Sequence, residues 1–129
     1  MSQLHRVALA AALFAAAGTA AAADPIKIGF IDPLSGPFAN VGESEVRHFQ
    51  LVIEGINARG GVLGGRKFEL VTFDNKASPQ ESVLALKQVI DQGIQYIVQG
   101  NSSSVADALI DTLDKHNKRN PDKAVLFLN

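Results

Sequence analysis

The sequence predicts an α/β protein with a parallel sheet and helices on both faces of the sheet. Two observations carry this prediction. After about two dozen residues, short apolar runs rich in β-branched residues alternate with longer segments in which apolar residues recur every three or four positions. The resulting order, β-α-β-α-β-α-β, is the alternation typical of a parallel sheet covered by its connecting helices.

Residues 1–23 have the pattern of a secretory signal peptide. Arg6 gives a positive start, Val7 to Ala17 form an unbroken apolar run, and Ala21 to Ala23 are small residues suited to cleavage before Asp24. The apolar run is too short for a stable transmembrane span, which argues against the alternative of a membrane anchor. We therefore expect export to the periplasm, no membrane insertion after cleavage, and a mature domain over residues 24–129.

The first half of the mature chain predicts a strand, a helix and a second strand. The strands are Ile26–Ile31 and Phe68–Phe73, both rich in β-branched or aromatic residues. The helix is expected to begin near Gly42 and to end at Gly60-Gly61, where glycine allows a left-handed cap. Its buried stripe has spacings of three and four residues and consists of Val46, Phe49, Ile53 and Ile56.

The second half predicts two further helix–strand pairs. Ser78 reads as the N-cap of the second helix, because proline follows it and Glu81 completes a capping box. The third strand is expected over Ile94–Gln99 and the fourth over Ala124–Leu128, with a helix between them that ends before Pro121.

Three consecutive serines, Ser102, Ser103 and Ser104, follow the third strand and open the third helix. A helix N-terminus has unpaired backbone N–H groups and a partial positive charge, so hydroxyl donors there suit an anion such as a ligand carboxylate. The competing interpretation is that Ser104 caps the helix and forms a capping box with Asp107. If the second and third strands flank the first, loops 32–42 and 100–104 meet at the switch point where open α/β sheets bind ligands, which favours the binding interpretation.

Composition and charge argue against several other classes of protein. The 129 residues carry a formal net charge of −1, which gives no indication of nucleic-acid binding, and they contain no cysteine. Asp32 and Asp74 follow strands, as acidic residues do in some enzymes, but aspartate commonly caps or turns the chain there. His48 and His116 lie away from the strand ends, so no catalytic or metal-ligand set is indicated. We expect a non-enzyme without metal or cofactor, with an α/β hydrolytic enzyme as one alternative.

Motifs along the whole mature chain resemble a known family. They are Leu34-Ser35-Gly36-Pro37, the segment INARGGVLGGRK at positions 56–67, Asp74 at a strand end, Ser78-Pro79, and Gly100 with the serines. Together they are similar to the first lobe of periplasmic solute-binding proteins of the leucine/isoleucine/valine-binding type, the receptors of ABC importers.

This resemblance implies a binding protein whose two α/β lobes close on a small molecule, with the membrane permease of an ABC importer as its partner. A serine matching Ser102 contacts the ligand carboxylate in amino-acid-binding members, and Ser103 and Ser104 lie beside it. Some members carry a large aromatic residue at the position of Val41; here the pocket lining is expected from Val41, Phe38 and Leu34. The resemblance leaves open whether the ligand is an amino acid, an amide or an aromatic carboxylate.

The resemblance also bears on the extent of the domain. Complete members are far longer, so residues 24–129 are expected to form an incomplete first lobe. The alternative within the same fold is the ligand-sensing lobe of a signalling receptor, which would report to a signalling partner instead of an importer.

Overall fold

The structure, a computed structural model, describes residues 23–129, so the predicted signal peptide lies outside the described residues except for Ala23. The described chain forms seven main elements and two short 3-10 turns, at Gly36–Phe38 and Pro121–Lys123. The main elements are β1 (Ile26–Asp32), α1 (Ala39–Ala58), β2 (Phe68–Asp74), α2 (Pro79–Asp91), β3 (Tyr96–Val98), α3 (Ser103–Arg119) and β4 (Leu126–Leu128).

The four strands form one parallel sheet in the order β2-β1-β3-β4. This order confirms the predicted α/β fold and places β2 and β3 on opposite sides of β1. β1 pairs with β2 in register from Ile26 opposite Phe68 to Asp32 opposite Asp74, so the two aspartates end adjacent strands at the carboxyl edge of the sheet.

Helices cover both faces of the sheet. Phe30 points toward α1, where its ring centroid lies 5.6 Å from that of Phe49. Its neighbour Ile31 points the opposite way and belongs to the main core, because successive side chains of a strand alternate between faces. That core is formed with α2 and α3 and includes Leu86, Val89, Val105, Leu109 and Leu113.

The predicted β3 is three residues too long, and the predicted β4 is two residues too long. Ile94 donates its N–H to the Val89 carbonyl, so it closes α2 instead of extending the strand. Ala124 donates to Pro121 in the second 3-10 turn, and Asn117 pairs with both backbone polar groups of Val125. These local hydrogen bonds compete with the sheet ladder and delay the start of each strand.

Two predicted helix starts had different outcomes. Ser78 is the N-cap of α2, and its hydroxyl accepts the Glu81 N–H at 3.4 Å, as predicted. The predicted start of α1 near Gly42 is wrong by three residues, because the 3-10 turn around Pro37 runs directly into a helix that begins at Ala39. No helix within residues 23–129 has the length and apolar character needed to cross a bilayer.

Candidate ligand-binding site

The loop after β3 is fastened to the end of β1 by a buried carboxylate. Asp32 Oδ2 accepts the Gly100 N–H at 3.3 Å, and Oδ1 accepts the Asn101 N–H at 3.2 Å. The Asn101 side-chain amide also donates to Asp32 Oδ2 at 2.9 Å. The Asp32 side chain is fully buried, so these three donors replace the water that an aspartate ordinarily has.

A second contact holds the same loop from within the sheet. Gln99 is buried and turns its amide Nε2 toward the carbonyls of Asn101 and Ser102. The Asn129 side chain donates to Gln99 Oε1 at 2.6 Å and to the Gln99 carbonyl at 3.2 Å. The loop conformation is therefore set by polar contacts from three strand ends.

Ser102 has an unusual backbone conformation for a residue with a side chain. Its φ is 78° and its ψ is 108°, in a region that normally favours glycine. Its hydroxyl lies 3.0 Å from that of Ser104, and its carbonyl accepts the N–H groups of Val105 and Ala106. Strained residues of this kind concentrate at functional sites.

The capping-box interpretation of the serines is wrong. α3 begins at Ser103, so Ser102 occupies the N-cap position and Ser104 already lies in the first turn. Within the described chain, the Ser102 hydroxyl pairs with Ser104 rather than with a backbone N–H of the first turn. All three serines are exposed at the positive end of a 17-residue helix.

The apolar residues predicted to line the site divide into two places. Val41 is 38% exposed and lies one turn before Glu45 on α1, hence on the same side of the helix as the residue that contacts Asn101. Phe38 is 57% exposed and immediately precedes α1. Leu34 lies on the β2 side, because its N–H donates to Asp74 Oδ1 at 2.9 Å. Leu34 also lines a 240 Å³ cavity with Glu43, Val46, Arg47 and Thr72.

Two carboxyl groups lie close together beneath the serines. Glu45 Oε1 accepts the Asn101 side-chain amide at 3.1 Å, so that one amide nitrogen contacts both Glu45 and Asp32. Burial and then the neighbouring Glu45 raise the pKa of Asp32 to about 7, although hydrogen bonds from Asn101 and Gly100 act in the opposite direction.

Asp74, at the end of the adjacent strand, has the opposite electrostatic character. Partial burial acts to raise its pKa, but hydrogen bonds from the Ser35 side chain and from the Leu34 and Lys76 N–H groups outweigh burial and lower the pKa. Asp74 therefore remains an ionised turn-forming residue that fixes the start of the loop after β1.

Sequence reasoning missed the grouping of Asp32, Glu45 and Asn101. The sequence indicates Asp32 only as a strand-end turn residue, and it gives no site prediction for Glu45. The available signal was the strand order itself, because the residue ending β1 and the residues following β3 must meet once β1 and β3 are neighbours.

These observations define a class of protein: an open parallel α/β sheet with polar, exposed donors at its switch point, where ligands of such sheets bind. A profile of the periplasmic binding protein family matches residues 25–122. The chain belongs to this family, as the sequence motifs predicted.

Named relatives agree with the family assignment. Leu/Ile/Val-binding protein homolog 4 of Brucella abortus (strain 2308) is 38% identical over 119 residues, which are 92% of this chain and 28% of the relative. The leucine-, isoleucine-, valine-, threonine- and alanine-binding protein of Brucella ovis, solved in a closed conformation, is 37% identical with a TM-score of 0.74. That match covers 81% of this chain and 27% of the solved one.

A solved Streptococcus pneumoniae protein adds a structure with a bound ligand. It is a branched-chain amino acid transporter substrate-binding protein in complex with isoleucine, 28% identical with a TM-score of 0.65. The match covers 80% of this chain and 28% of that protein. The present chain thus spans little more than a quarter of the length of the proteins it resembles.

Proposed function

We propose that this chain is the first-lobe portion of a periplasmic receptor that binds an amino acid or a related small carboxylate for an ABC importer. The observation that carries the proposal is the exposed cluster of Ser102, Ser103 and Ser104 at the N-terminus of α3, at the switch point of the sheet. Family membership and relatives whose names specify leucine, isoleucine and valine support it.

The chemistry of the site suits a carboxylate. The serine hydroxyls and the free N–H groups of the first turn of α3 are donors, and the helix dipole favours a negative group there. Ser102 contributes its hydroxyl from a backbone position set by Asp32, Asn101 and Gln99. In this proposal Val41 and Phe38, both partly exposed near the start of α1, contact the apolar part of the ligand.

The remaining ligand contacts belong to residues outside this chain in the proposal. Relatives are between three and four times longer, and the present residues supply donors for the carboxylate on one side of the crevice only. We place the groups that bind the ligand ammonium, and the surface that meets the permease, largely in that additional length.

Thermal unfolding of the longer protein proposed above, which includes the remaining ligand contacts, tests the proposal. The transition is recorded with and without branched-chain amino acids, smaller amino acids, amides and aromatic carboxylates, and a true ligand raises the midpoint by mass action. A panel in which no carboxylate raises the midpoint contradicts the proposal. Uptake of the labelled ligand by cells with and without the gene separates an importer receptor from a sensing lobe.

Substitution at one serine tests the site itself. Ser102→Ala is expected to weaken carboxylate binding by about 1–3 kcal/mol, the scale for removing one partner of a charged group. Ser78→Ala is the matched control, because it removes the same hydroxyl from the N-terminus of the neighbouring helix α2 and should leave affinity unchanged. Equal affinity of the Ser102 variant and the parent protein would exclude the role assigned to Ser102.

A further inference from the structure

The carboxyl groups of Asp32 and Glu45 lie beneath the loop of residues 100–104, here called the serine loop. They are placed to act on a ligand that binds at the serines. Asp32 accepts the backbone N–H of Asn101, the residue immediately before Ser102, at 3.2 Å. The Asn101 side chain lies between the two acids, 2.9 Å from Asp32 Oδ2 and 3.1 Å from Glu45 Oε1. Movement of either acid therefore moves the backbone that carries the Ser102 hydroxyl.

Glu45 is also packed against the backbone of the loop. Gly100 has no side chain, and a Cβ atom built there would lie 2.6 Å from Glu45 Oε2 and 3.1 Å from Oε1 and Cδ. The carboxyl of Glu45, from α1, thus occupies the space beside Gly100, one residue from Asn101. The acids of β1 and α1 meet at one point of the serine loop.

The surroundings of Asp32 identify the charges that act on it. From α1 the facing titratable group is Glu45; from the loop after β3 the facing groups are the neutral amides of Gly100 and Asn101. At the end of β2, Asp74 is engaged with Leu34 and Lys76, and the N–H of the next residue, Asn75, donates to the backbone carbonyl of Asp32. Among the described residues, Glu45 is the titratable group that acts on the Asp32 carboxyl.

We propose that Asp32, Asn101 and Glu45 are positioning residues for the serine loop, and that loss of the proton held by Asp32 weakens binding of an anionic ligand at Ser102. This inference rests on the proposed function. Burial and the neighbouring Glu45 carboxyl favour the protonated form of Asp32. Removal of that proton separates the acids and adds a negative charge beneath a site that binds a carboxylate.

The consequence is a binding affinity that falls as the pH rises through neutrality. The high pKa of Asp32, about 7, agrees with this pH range. One added unit charge near a partly solvated anion site corresponds to a loss of affinity of about fivefold between pH 6 and pH 8. By linkage, ligand binding takes up a fraction of a proton near pH 7.

The test is a calorimetric titration from pH 5.5 to 8.5. The longer protein proposed above is titrated with L-leucine. The parent protein should lose affinity with rising pH, and Asp32→Asn should bind with an affinity that no longer depends on pH. His48→Gln and His116→Gln alter residues outside the network and are controls expected to keep the parent pH profile.

Glu45→Gln provides a second variant that does not alter the buried aspartate. Its amide oxygen can still accept from Asn101, but the neighbouring charge is gone, so the midpoint of the affinity loss should move to lower pH. An unchanged midpoint in Glu45→Gln, or a parent pH slope retained by Asp32→Asn, overturns the inference while leucine binding still supports the proposed function. Absence of binding by the parent protein at every pH, with leucine and with every other carboxylate of the panel, overturns both.

Discussion

Asn101 donates its side-chain amide to Asp32 over 2.9 Å, although the two residues are 69 positions apart in the chain. The contact joins the loop after β3 to the end of β1, across the boundary between neighbouring parallel strands. It replaces water around a carboxylate that burial would otherwise leave unpaired, and it places Ser102 at a defined point on the sheet edge.

Asp32 is expected to make the protein less stable as the pH rises toward neutrality. Burial and Glu45 raise its pKa from 3.8 to about 7, so between these values the folded protein holds a proton that the unfolded chain releases. Stability contributed by this group is therefore present below pH 3.8 and is lost as the pH rises to 7. Asp32→Asn should remove this component of the pH dependence.

Urea unfolding at a series of pH values between 4 and 8 measures the effect on the free energy of unfolding. The difference between variant and parent is the informative quantity, because other carboxylates contribute equally to both curves. A constant difference across the range would show that Asp32 has an ordinary pKa in the folded protein.

Ser102→Gly is expected to stabilise the fold and to weaken ligand binding. Ser102 holds a φ of 78°, which glycine adopts without the penalty paid by a residue with a Cβ atom. Relief of this strain should add about 1 kcal/mol to the free energy of unfolding, while loss of the hydroxyl removes a ligand donor.

Ser103→Gly is the matched control, because Ser103 is the first residue of α3 and glycine is unfavourable in a helix. The two adjacent substitutions should thus change stability in opposite directions. Denaturant midpoints that fall in both variants would contradict a strained Ser102.

The parallel α/β architecture and the N-cap of α2 could be predicted from sequence because they depend on patterns within short segments. Ser78, Pro79 and Glu81 specify their cap locally, and the alternation of elements specifies a parallel sheet. The ends of β3 and β4 could not be predicted in this way. They depend on contacts between segments: the Ile94 N–H donates to the Val89 carbonyl before β3, and the Asn117 side chain reaches Val125 before β4.

Only the location of the candidate site could be predicted from the sequence. The sequence places Ser102 after a buried strand and before a helix, and the structure puts these residues at the switch point. Its internal geometry rests on Asp32 and Glu45, which come from two other elements, and no local pattern indicates that their side chains meet at Asn101. The positive φ of Ser102 likewise follows from those long-range contacts.

Gly42→Ala and Gly55→Ala should have opposite effects although both glycines lie in α1. A Cβ atom at Gly42 would lie 2.0 Å from the Pro33 carbonyl oxygen, a backbone atom that cannot move without displacing the end of β1. The nearest neighbour at Gly55 is the flexible end of Arg59, at 3.5 Å. We expect Gly42→Ala to lower the free energy of unfolding by about 3 kcal/mol, the upper range for overpacking. Gly55→Ala should raise it by about 1 kcal/mol through helix propensity.

Unfolding midpoints in urea for the two variants and the parent protein test this pair. Because the substitution and the helix are the same, the comparison isolates the close approach of α1 to the end of β1. A Gly42→Ala variant as stable as the parent would show that the helix stands further from Pro33 than this structure indicates.

A double-mutant cycle at Gly100 and Glu45 is expected to show coupling between the serine loop and α1. Alanine at Gly100 would place a Cβ atom 2.6 Å from Glu45 Oε2 and push that carboxyl away from Asn101. Because the end of a glutamate side chain is flexible, the cost should be moderate, about 1 kcal/mol. In the Glu45→Ala background the clash is absent and Gly100→Ala should be close to neutral, which makes the two changes non-additive by a similar amount.

Free energies of unfolding for the four proteins measure this coupling. Strict additivity would mean that Glu45 does not pack against the loop, and the positioning role assigned to it would then lack its structural basis.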